Sequence, residues 1–398
     1  MAKKETAISK LGKLIMAEDS TEELPAKKTP AQIIAMMNNK QGSNKAKITL
    51  ASKTTSPEVI PSGVLALDYI LGIGGFPRGR IGMLYGAESS WKSTICLRTI
   101  AEAQKRGGIA AYVDAEYTFD PKWAVAHGVD LDSLIYLKPE TAEDALNRMT
   151  DLINAQVDVI VLDSLVALSV KKEIVDDDKG TAAGIETEAM GVFPRKMSQW
   201  LRNNVGRIHK NNNLVLVINQ LRDNLGAGPY GNPTTVPGGK AIKFYSSFSV
   251  ALRKITGKKG EIVEDGEVVG FTYVAKIDKL KVARPGREAE FRAYGSILDN
   301  YTSVLDIALR EEIFEQPNNK TYVFKDKKFI GRPKVLLELV NNEEFYTEVY
   351  AEVMSKLKAN VSTFDPHAKL RRAEEIDESS VELPDDDEEA ELEDSLNS

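Results

Sequence analysis

Three apolar runs rich in β-branched residues, at 109–113, 157–162 and 214–218, alternate with helical stretches at 93–106, 141–155 and 188–209. This alternation restricts the fold more than any other feature of the chain. A strand that faces water on one side alternates apolar and polar residues, whereas one covered on both faces reads as a continuous apolar run. Continuous runs separated by helices therefore predict an α/β fold, a mostly parallel sheet with helices on both faces. Further strands at 248–253 and 272–277 predict an antiparallel extension. Residues 300–360 read as a small separate helical unit with a strand or two near 322–329. No internal repeat is visible.

The flanks have a different composition. Residues 1–29 are rich in Lys and Glu and predict a flexible arm. A short helix at 30–38 has Pro in its first turn, and its apolar face (Ile33, Ile34, Met36, Met37) is too small to fold alone. It must dock on its own body or on a neighbour. The formal net charge of −7 hides an asymmetry: residues 373–398 hold thirteen Asp/Glu and no Lys/Arg, which leaves 52 basic against 46 acidic residues in 1–372, a net of +6. A basic body with an acidic tail suits a polyanion partner and a tethered competitor. A disordered tail that only aids solubility is the alternative. The expected boundaries are an arm at 1–29, helix and linker at 30–56, a core at 57–298, a small C-terminal α/β domain at 299–360 and an acidic disordered tail at 361–398.

Several classes are excluded. No apolar run reaches the roughly 18 residues of a membrane span, and the first residues lack the apolar stretch of a signal peptide. One cysteine, Cys96, rules out a disulfide framework, and three scattered histidines give no zinc-ligand spacing. A soluble protein of a reducing compartment is expected.

The segment Gly86, Ala87, Glu88, Ser89, Ser90, Trp91, Lys92, Ser93 and Thr94 follows an apolar run and opens a helix. It approximates G-x-x-x-x-G-K-[ST], in which backbone N–H groups wrap phosphates at a helix N-terminus. Lys92 would neutralise the β/γ-phosphates and Ser93 would ligate Mg²⁺. Trp91 stands where the pattern has glycine, so an L-compatible backbone and a large ring beside the triphosphate are expected there. Val159-Ile-Val-Leu-Asp163 reads as a buried strand whose terminal Asp163 holds Mg²⁺. Val113-Asp-Ala-Glu116 ends another strand with a carboxylate able to orient an attacking water. Each carboxylate alone can also be a strand cap; three in order on successive strands point to a nucleotide triphosphatase.

These residues resemble those of RecA-type homologous recombinases, over about 30–350. The likeness rests on five blocks: Pro61-Ser-Gly-Val-Leu-Ala-Leu-Asp68; Gly86 to Thr94; Asp114-Ala-Glu-Tyr-Thr-Phe-Asp-Pro121; Val159 to Leu168; and Asn219-Gln-Leu-Arg222 with Gly231-Asn-Pro233 and Gly238-Gly239. The aromatic before Lys92 is similar to that of phage-encoded recombinases, which implies a viral source acting in a host cytoplasm.

The resemblance implies an ATP-dependent protein of recombination and DNA repair. Such a protein forms helical filaments on single-stranded DNA, pairs it with homologous double-stranded DNA and exchanges strands, with DNA-stimulated ATP hydrolysis. ATP and Mg²⁺ are the implied cofactors. Other copies of the chain are implied partners, with single-strand-binding and mediator proteins and no membrane. Glu116 resembles the catalytic carboxylate, Gln220 the γ-phosphate sensor, and Asp120 with Trp123 the adenine contacts; a core tryptophan is the alternative for Trp123. Two segments resemble mobile DNA loops. The first, 180–193, carries Met190 and precedes a helix with Arg195, Lys196, Ser198 and Arg202. The second, 221–239, carries Arg222 and Tyr230, ends on Gly238 and Gly239, and is followed by Lys240; five Gly and three Pro in 226–239 bar it from regular packing. Lys279 and Lys281 match a lysine pair that reaches the ATP of the neighbouring subunit; a solvated strand face is the alternative. Phe244 resembles an interface aromatic, and Ile33 and Ile34 lie on the helix that docks on the next subunit. A hexameric motor and a DNA scaffold without turnover are the rival readings.

Overall fold

In the computed structural model of the chain, the described residues are 29–39, 50, 57–168, 192–223, 234–235 and 239–362. The acidic tail, nearly all of the N-terminal arm, most of the two segments expected to bind DNA, and Met190, Tyr230 and Gly238 lie outside them. The chain divides into two units, 1–56 and 57–398.

In the first unit, helix α1 spans Pro30–Asn39. Thr29 and Gln32 start it reciprocally: the Gln32 N–H donates to Thr29 Oγ1 at 3.3 Å and the Thr29 N–H to Gln32 Oε1 at 2.9 Å. This is a capping box, with Pro30 at the first helical position, where no N–H is needed. Ile33 is exposed and Ile34 half-buried.

The second unit runs β1 (Val59–Ile60), α2 (Leu65–Leu71), β2 (Phe76–Pro77), β3 (Arg80–Gly86), α3 (Lys92–Gln104), β4 (Ala110–Asp114), α4 (Pro121–Ala126), β5 (Leu134–Leu137), α5 (Ala142–Asn154) and β6 (Val159–Asp163). It continues with α6 (Val192–Lys210), β7 (Leu214–Gln220), β8 (Arg222–Asp223), β9 (Thr234–Thr235), α7 (Gly239–Tyr245), β10 (Phe248–Lys254), β11 (Glu261–Glu264), β12 (Glu267–Leu280), β13 (Glu288–Tyr294) and β14 (Ile297–Leu298). The main sheet has the order β14-β13-β12-β10-β3-β7-β6-β4-β5, with β11 paired to β12.

The six strands from β10 to β5 in this order are parallel. The expectation that 248–253 begins an antiparallel extension is thus corrected: β10 lies parallel to β3, and antiparallel pairing starts at β12. The connections give the reason. The chain from β7 returns through α7, a crossover that permits parallel pairing, whereas the short β10–β11–β12 links permit only hairpins.

Each central strand is buried on both faces. Ala110, Tyr112, Val159, Val161, Leu214 and Leu216 join Ile95, Cys96 and Ile100 of α3 in one core. Their neighbours Ala111, Val113, Ile160, Leu162, Val215 and Val217 join Leu146 and Met149 of α5 and Trp200 and Leu201 of α6 in another. Register then sets Asp114 opposite Asp163 and Gly86 opposite Gln220. The carboxyl ends of four adjacent strands make one polar rim, the usual place for a ligand in an open α/β sheet.

The C-terminal part has α8 (Asn300–Arg310), three antiparallel strands β15 (Glu315–Asn318), β16 (Thr321–Phe324) and β17 (Lys327–Ile330), then α9 (Arg332–Asn341) and α10 (Glu343–Ser362). Its core, including Val304, Phe314, Phe324, Phe345 and Val349, also takes in Leu65 of α2. The strand β15, absent from the sequence pattern, is exposed throughout and contains Pro317, as an edge strand tolerates. Among the described residues no helix is long and apolar enough to cross a membrane.

Candidate nucleotide site

Between β3 and α3 the chain folds into a loop at the N-terminus of a long helix. Its first glycine is fixed by packing: a Cβ on Gly86 would lie 2.0 Å from the Leu252 carbonyl oxygen of β10. Beyond it, Ser90 Oγ donates to the Ala87 carbonyl at 2.7 Å, and Lys92 Nζ donates to the same oxygen at 2.6 Å and lies 3.3 Å from Ser90 Oγ. The Lys92 ammonium is held over the loop, among the described residues, by a carbonyl and a hydroxyl group. Burial lowers its pKa, opposed by the carboxylates of Asp163, Glu116 and Glu88. A buried cation at a helix N-terminus is a strong site for an anion.

Trp91 departs from expectation in its backbone. Its φ is +70°, so the backbone keeps the left-handed form that glycine prefers and does not move to an L-compatible one. Its ring packs among Tyr273, Phe291 and His127, at centroid distances of 5.4, 5.6 and 5.7 Å. Burying an indole against three rings outweighs a left-handed residue, which costs roughly 1–2 kcal/mol.

Next to the loop, Ser93 Oγ donates to Asp163 Oδ2 at 2.6 Å, and the Tyr112 hydroxyl donates to the same oxygen at 2.5 Å. Burial raises the Asp163 pKa; the two hydroxyls work against this, and the nearby Glu116 and Asp114 add to it. This carboxylate is hydrogen-bonded by neutral groups in a buried position, which a divalent cation would favour. Among the described residues no cluster of three or more His, Cys, Asp or Glu could hold a metal. Mg²⁺ is usually held by one or two protein oxygens with phosphate and water completing its shell. A hydroxyl and a carboxylate oxygen beside a phosphate loop fit that donor set.

Glu116 stands at the centre of the rim. Its Oε1 accepts from Gln220 Nε2 at 2.9 Å and from the Ser164 hydroxyl. Buried Asp114 shapes the turn that presents it, accepting the Thr118 and Phe119 N–H groups at 3.3 and 3.1 Å and the Tyr136 hydroxyl at 2.8 Å. Tyr112, Tyr136 and Ser164 were not found from sequence. Only strand register places Tyr112 below Asp163, and a hydroxyl after a strand-terminal aspartate is the one local signal for Ser164.

Asp120 caps α4, accepting the Lys122 and Trp123 N–H groups at 2.8 and 3.4 Å. Trp123 Nε1 donates to Thr94 Oγ1 at 3.3 Å, which ties this indole to the phosphate-loop helix. A cleft of about 470 Å³ opens here, lined by residues 89–94, Trp123, Phe271, Tyr273 and Gly295 among others.

Other residues singled out from sequence stand elsewhere. Arg195, Ser198 and Arg202 share a face of α6, the two arginines exposed and Ser198 half-buried; Lys196 pairs with Glu143 at 2.8 Å. Arg222 lies in β8, while Gly239 and Lys240 open α7. Lys279 Nζ donates to the Lys243 and Phe244 carbonyls at 2.6 and 3.0 Å, satisfying orphan acceptors in the last turn of α7. Burial and Lys281 together lower the Lys279 pKa. Lys281 is exposed just past β12, and Phe244 is 75% exposed, edge-on to Tyr245 at 5.5 Å.

The sequence model of the family described as "RecA N-terminal domain" matches residues 31–298. The chain is 43% identical over 280 residues to Protein RecA of Francisella philomiragia, covering 70% of this chain and 74% of that one. It is 37% identical over 337 residues to Protein RecA of Aquifex aeolicus (84% and 94%) and 42% over 309 residues to Protein RecA of Clostridioides difficile (77% and 85%).

Proposed function

The chain belongs to the RecA family of homologous recombinases, and from that premise we propose how its residues divide the work. It is a DNA-dependent ATPase of recombination and repair that exchanges DNA strands, uses ATP, binds DNA and associates with its own copies. The finer reading is a helical filament on single-stranded DNA that pairs it with homologous duplex. Single-strand-binding and mediator proteins assist it in the cytoplasm.

ATP binds with its phosphates on the loop 86–94. Lys92 supplies the positive charge nearest the β/γ-phosphates. Ser93 and Asp163 would hold Mg²⁺, which supplies charge neutralisation on the phosphate oxygens. Glu116 accepts a proton from the attacking water, and Asp120 with Trp123 contacts the base. The observation that carries this reading is the shared acceptor: Glu116 Oε1 takes the Gln220 amide and the Ser164 hydroxyl together. Gln220 ends β7, and the next residues enter the second DNA segment at 221–239. An amide that exchanges the carboxylate for a γ-phosphate would move the strand end leading to DNA, coupling nucleotide state to DNA affinity.

DNA contacts fall to Met190, Arg195, Ser198 and Arg202 on the first segment and its helix, and to Arg222, Tyr230, Gly238, Gly239 and Lys240 on the second. Lys279 and Lys281 complete the ATP site of the neighbouring copy, as cations supplied in trans stabilise transition-state charge. Ile33, Ile34 and Phe244 form the contact between copies. Such a contact is head-to-tail, and one that does not close generates a helix.

Electron microscopy with single-stranded DNA and a non-hydrolysable ATP analogue tests the assembly. Extended helical filaments are expected; closed rings would support a motor, and neither form would refute the filament. Lys279→Ala should fold and bind ATP yet lose DNA-stimulated turnover, and a variant with full stimulation removes the trans assignment.

A further inference from the structure

The cleft beside the phosphate loop is walled by four aromatic residues, Trp91, Trp123, Phe271 and Tyr273. Trp123 is already accounted for as a base contact; Trp91 is not, and its position is costly. Its left-handed backbone would be free of strain in glycine, and strain of this kind persists only where the surroundings over-determine it. The surroundings do so. Tyr273 and Phe291 stack on each other at 5.4 Å, and both hold the Trp91 ring. Burial pushes the Tyr273 phenol up, while a hydrogen bond with Trp91 acts the other way.

His127 joins the two indoles, edge-on to Trp91 at 5.7 Å and to Trp123 at 4.7 Å. Burial and the neighbouring Arg98 depress its pKa to about 4, so it is neutral at physiological pH. Behind the wall His127 thus adds no charge; the wall itself is made of aromatic rings, with the Lys254 ammonium over Phe271 at 3.1 Å, whereas the loop side presents Lys92. Trp91 is 7% exposed, and it lines the cleft that begins at the loop together with Tyr273, the ring its own indole packs against.

We propose that Trp91 is a base-selecting residue: its indole forms part of the wall that receives the heteroaromatic base, and it contributes to base binding and not to triphosphate binding. The inference rests on reading this cleft as the ATP site. An apolar, polarisable wall gains from covering a flat ring and gains nothing from a hydrated polyanion. Base–aromatic stacking measured by side-chain truncation is large enough to read, and for a ring this buried the low end of that range applies, roughly fivefold in affinity.

Titration calorimetry on the full chain, with ATP and inorganic tripolyphosphate as separate ligands, tests it. Trp91→Leu should bind ATP about fivefold more weakly and tripolyphosphate as tightly as the unsubstituted chain. Equal losses for both ligands would place Trp91 on the phosphate loop, and no loss for either would make it packing alone; each overturns the proposal. A chain that binds neither ligand before substitution refutes the nucleotide reading of the cleft itself. Trp91→Phe keeps an aromatic ring in the core and gives a second readout should Trp91→Leu fail to fold. In the unsubstituted chain ATP should alter indole emission and tripolyphosphate should not, and Trp91→Phe should lose a large part of the ATP signal. Full retention of that signal would overturn the proposal.

Discussion

Asp158 and Asp163 bracket the same strand, β6, and meet opposite fates. Asp158, at the start, pairs with the Arg78 guanidinium, and its other oxygen accepts the Ile109 N–H at 2.8 Å. Arg78 also donates to the Asn212 carbonyl at 3.1 Å and reaches Glu58 at 3.4 Å, while Asn212 Nδ2 donates to Glu58 at 3.0 Å. Charge and hydrogen bonding close on themselves there. Asp163, at the end, is met by two neutral hydroxyls, with Glu116 and Asp114 raising its pKa further. Nearby, Lys92 is buried against carbonyl and hydroxyl groups. One end of the sheet uses its polar groups to hold elements together; the other keeps like charges close and cation apart from anion, a state that ligand binding relieves.

The strongest way to break this comparison is at Glu116. Glu116→Gln should lower ATP turnover about 100- to 10,000-fold while leaving ATP and DNA binding in place. Steady-state hydrolysis with single-stranded DNA checks it, and wild-type turnover would refute the catalytic role.

Lys92→Ala comes next, with an expected loss of roughly 100- to 1,000-fold, the scale for removing one preorganised donor to developing charge. Its thermal unfolding without nucleotide should be unchanged or shifted upward, because a buried cation is removed. A large loss of stability would show that Lys92 is structural.

The opposite pattern is expected at the other end. Arg78→Ala should lower unfolding stability by about 1.5–3 kcal/mol, as for hydrogen bonds to charged groups, with the KM for ATP unchanged. A change in KM would mean that the two ends are coupled.

The smallest effect separates the two aspartates by pH. The folded pKa of Asp163 is raised, chiefly by burial. Its contribution to stability is therefore full below the ordinary carboxylate pKa and is lost as pH rises through the folded value. Asp163→Asn should be at least as stable as the unsubstituted chain at neutral pH without ligand and should flatten this dependence. Denaturant melts across acid and neutral pH check it; destabilisation at neutral pH would overturn the account.

The parallel sheet was legible because strands buried on both faces must be apolar throughout, and the runs at 109–113, 157–162 and 214–218 are. The rim carboxylates Asp114 and Asp163 were legible because they end such runs. The exposed strand β15 was not, since an edge strand with proline carries no periodic signal. The parallel pairing of β10 was also missed: a strand shows its burial in its own residues, while its direction depends on the connection that brings it in. Trp91 illustrates the same limit at one position. Its presence in the loop was plain, but its ring direction depends on Tyr273, Phe291 and His127, which are distant in sequence.

The sequence by itself determined the central buried strands, the phosphate loop with Lys92 and Ser93, and the order of Glu116, Asp163 and Gln220 along the chain, because burial and local turn geometry are written in neighbouring residues. Only the tertiary structure decided which of these touch. Strand register set Asp114 beside Asp163 and Gly86 beside Gln220. It also brought Tyr112 under Asp163 and Gln220 onto Glu116, and left Asp158 to close with Arg78. A single residue of slip along any of these strands would turn every one of its side chains to the other face. The partners are therefore fixed by the packing of both faces at once, which no stretch of neighbouring residues contains.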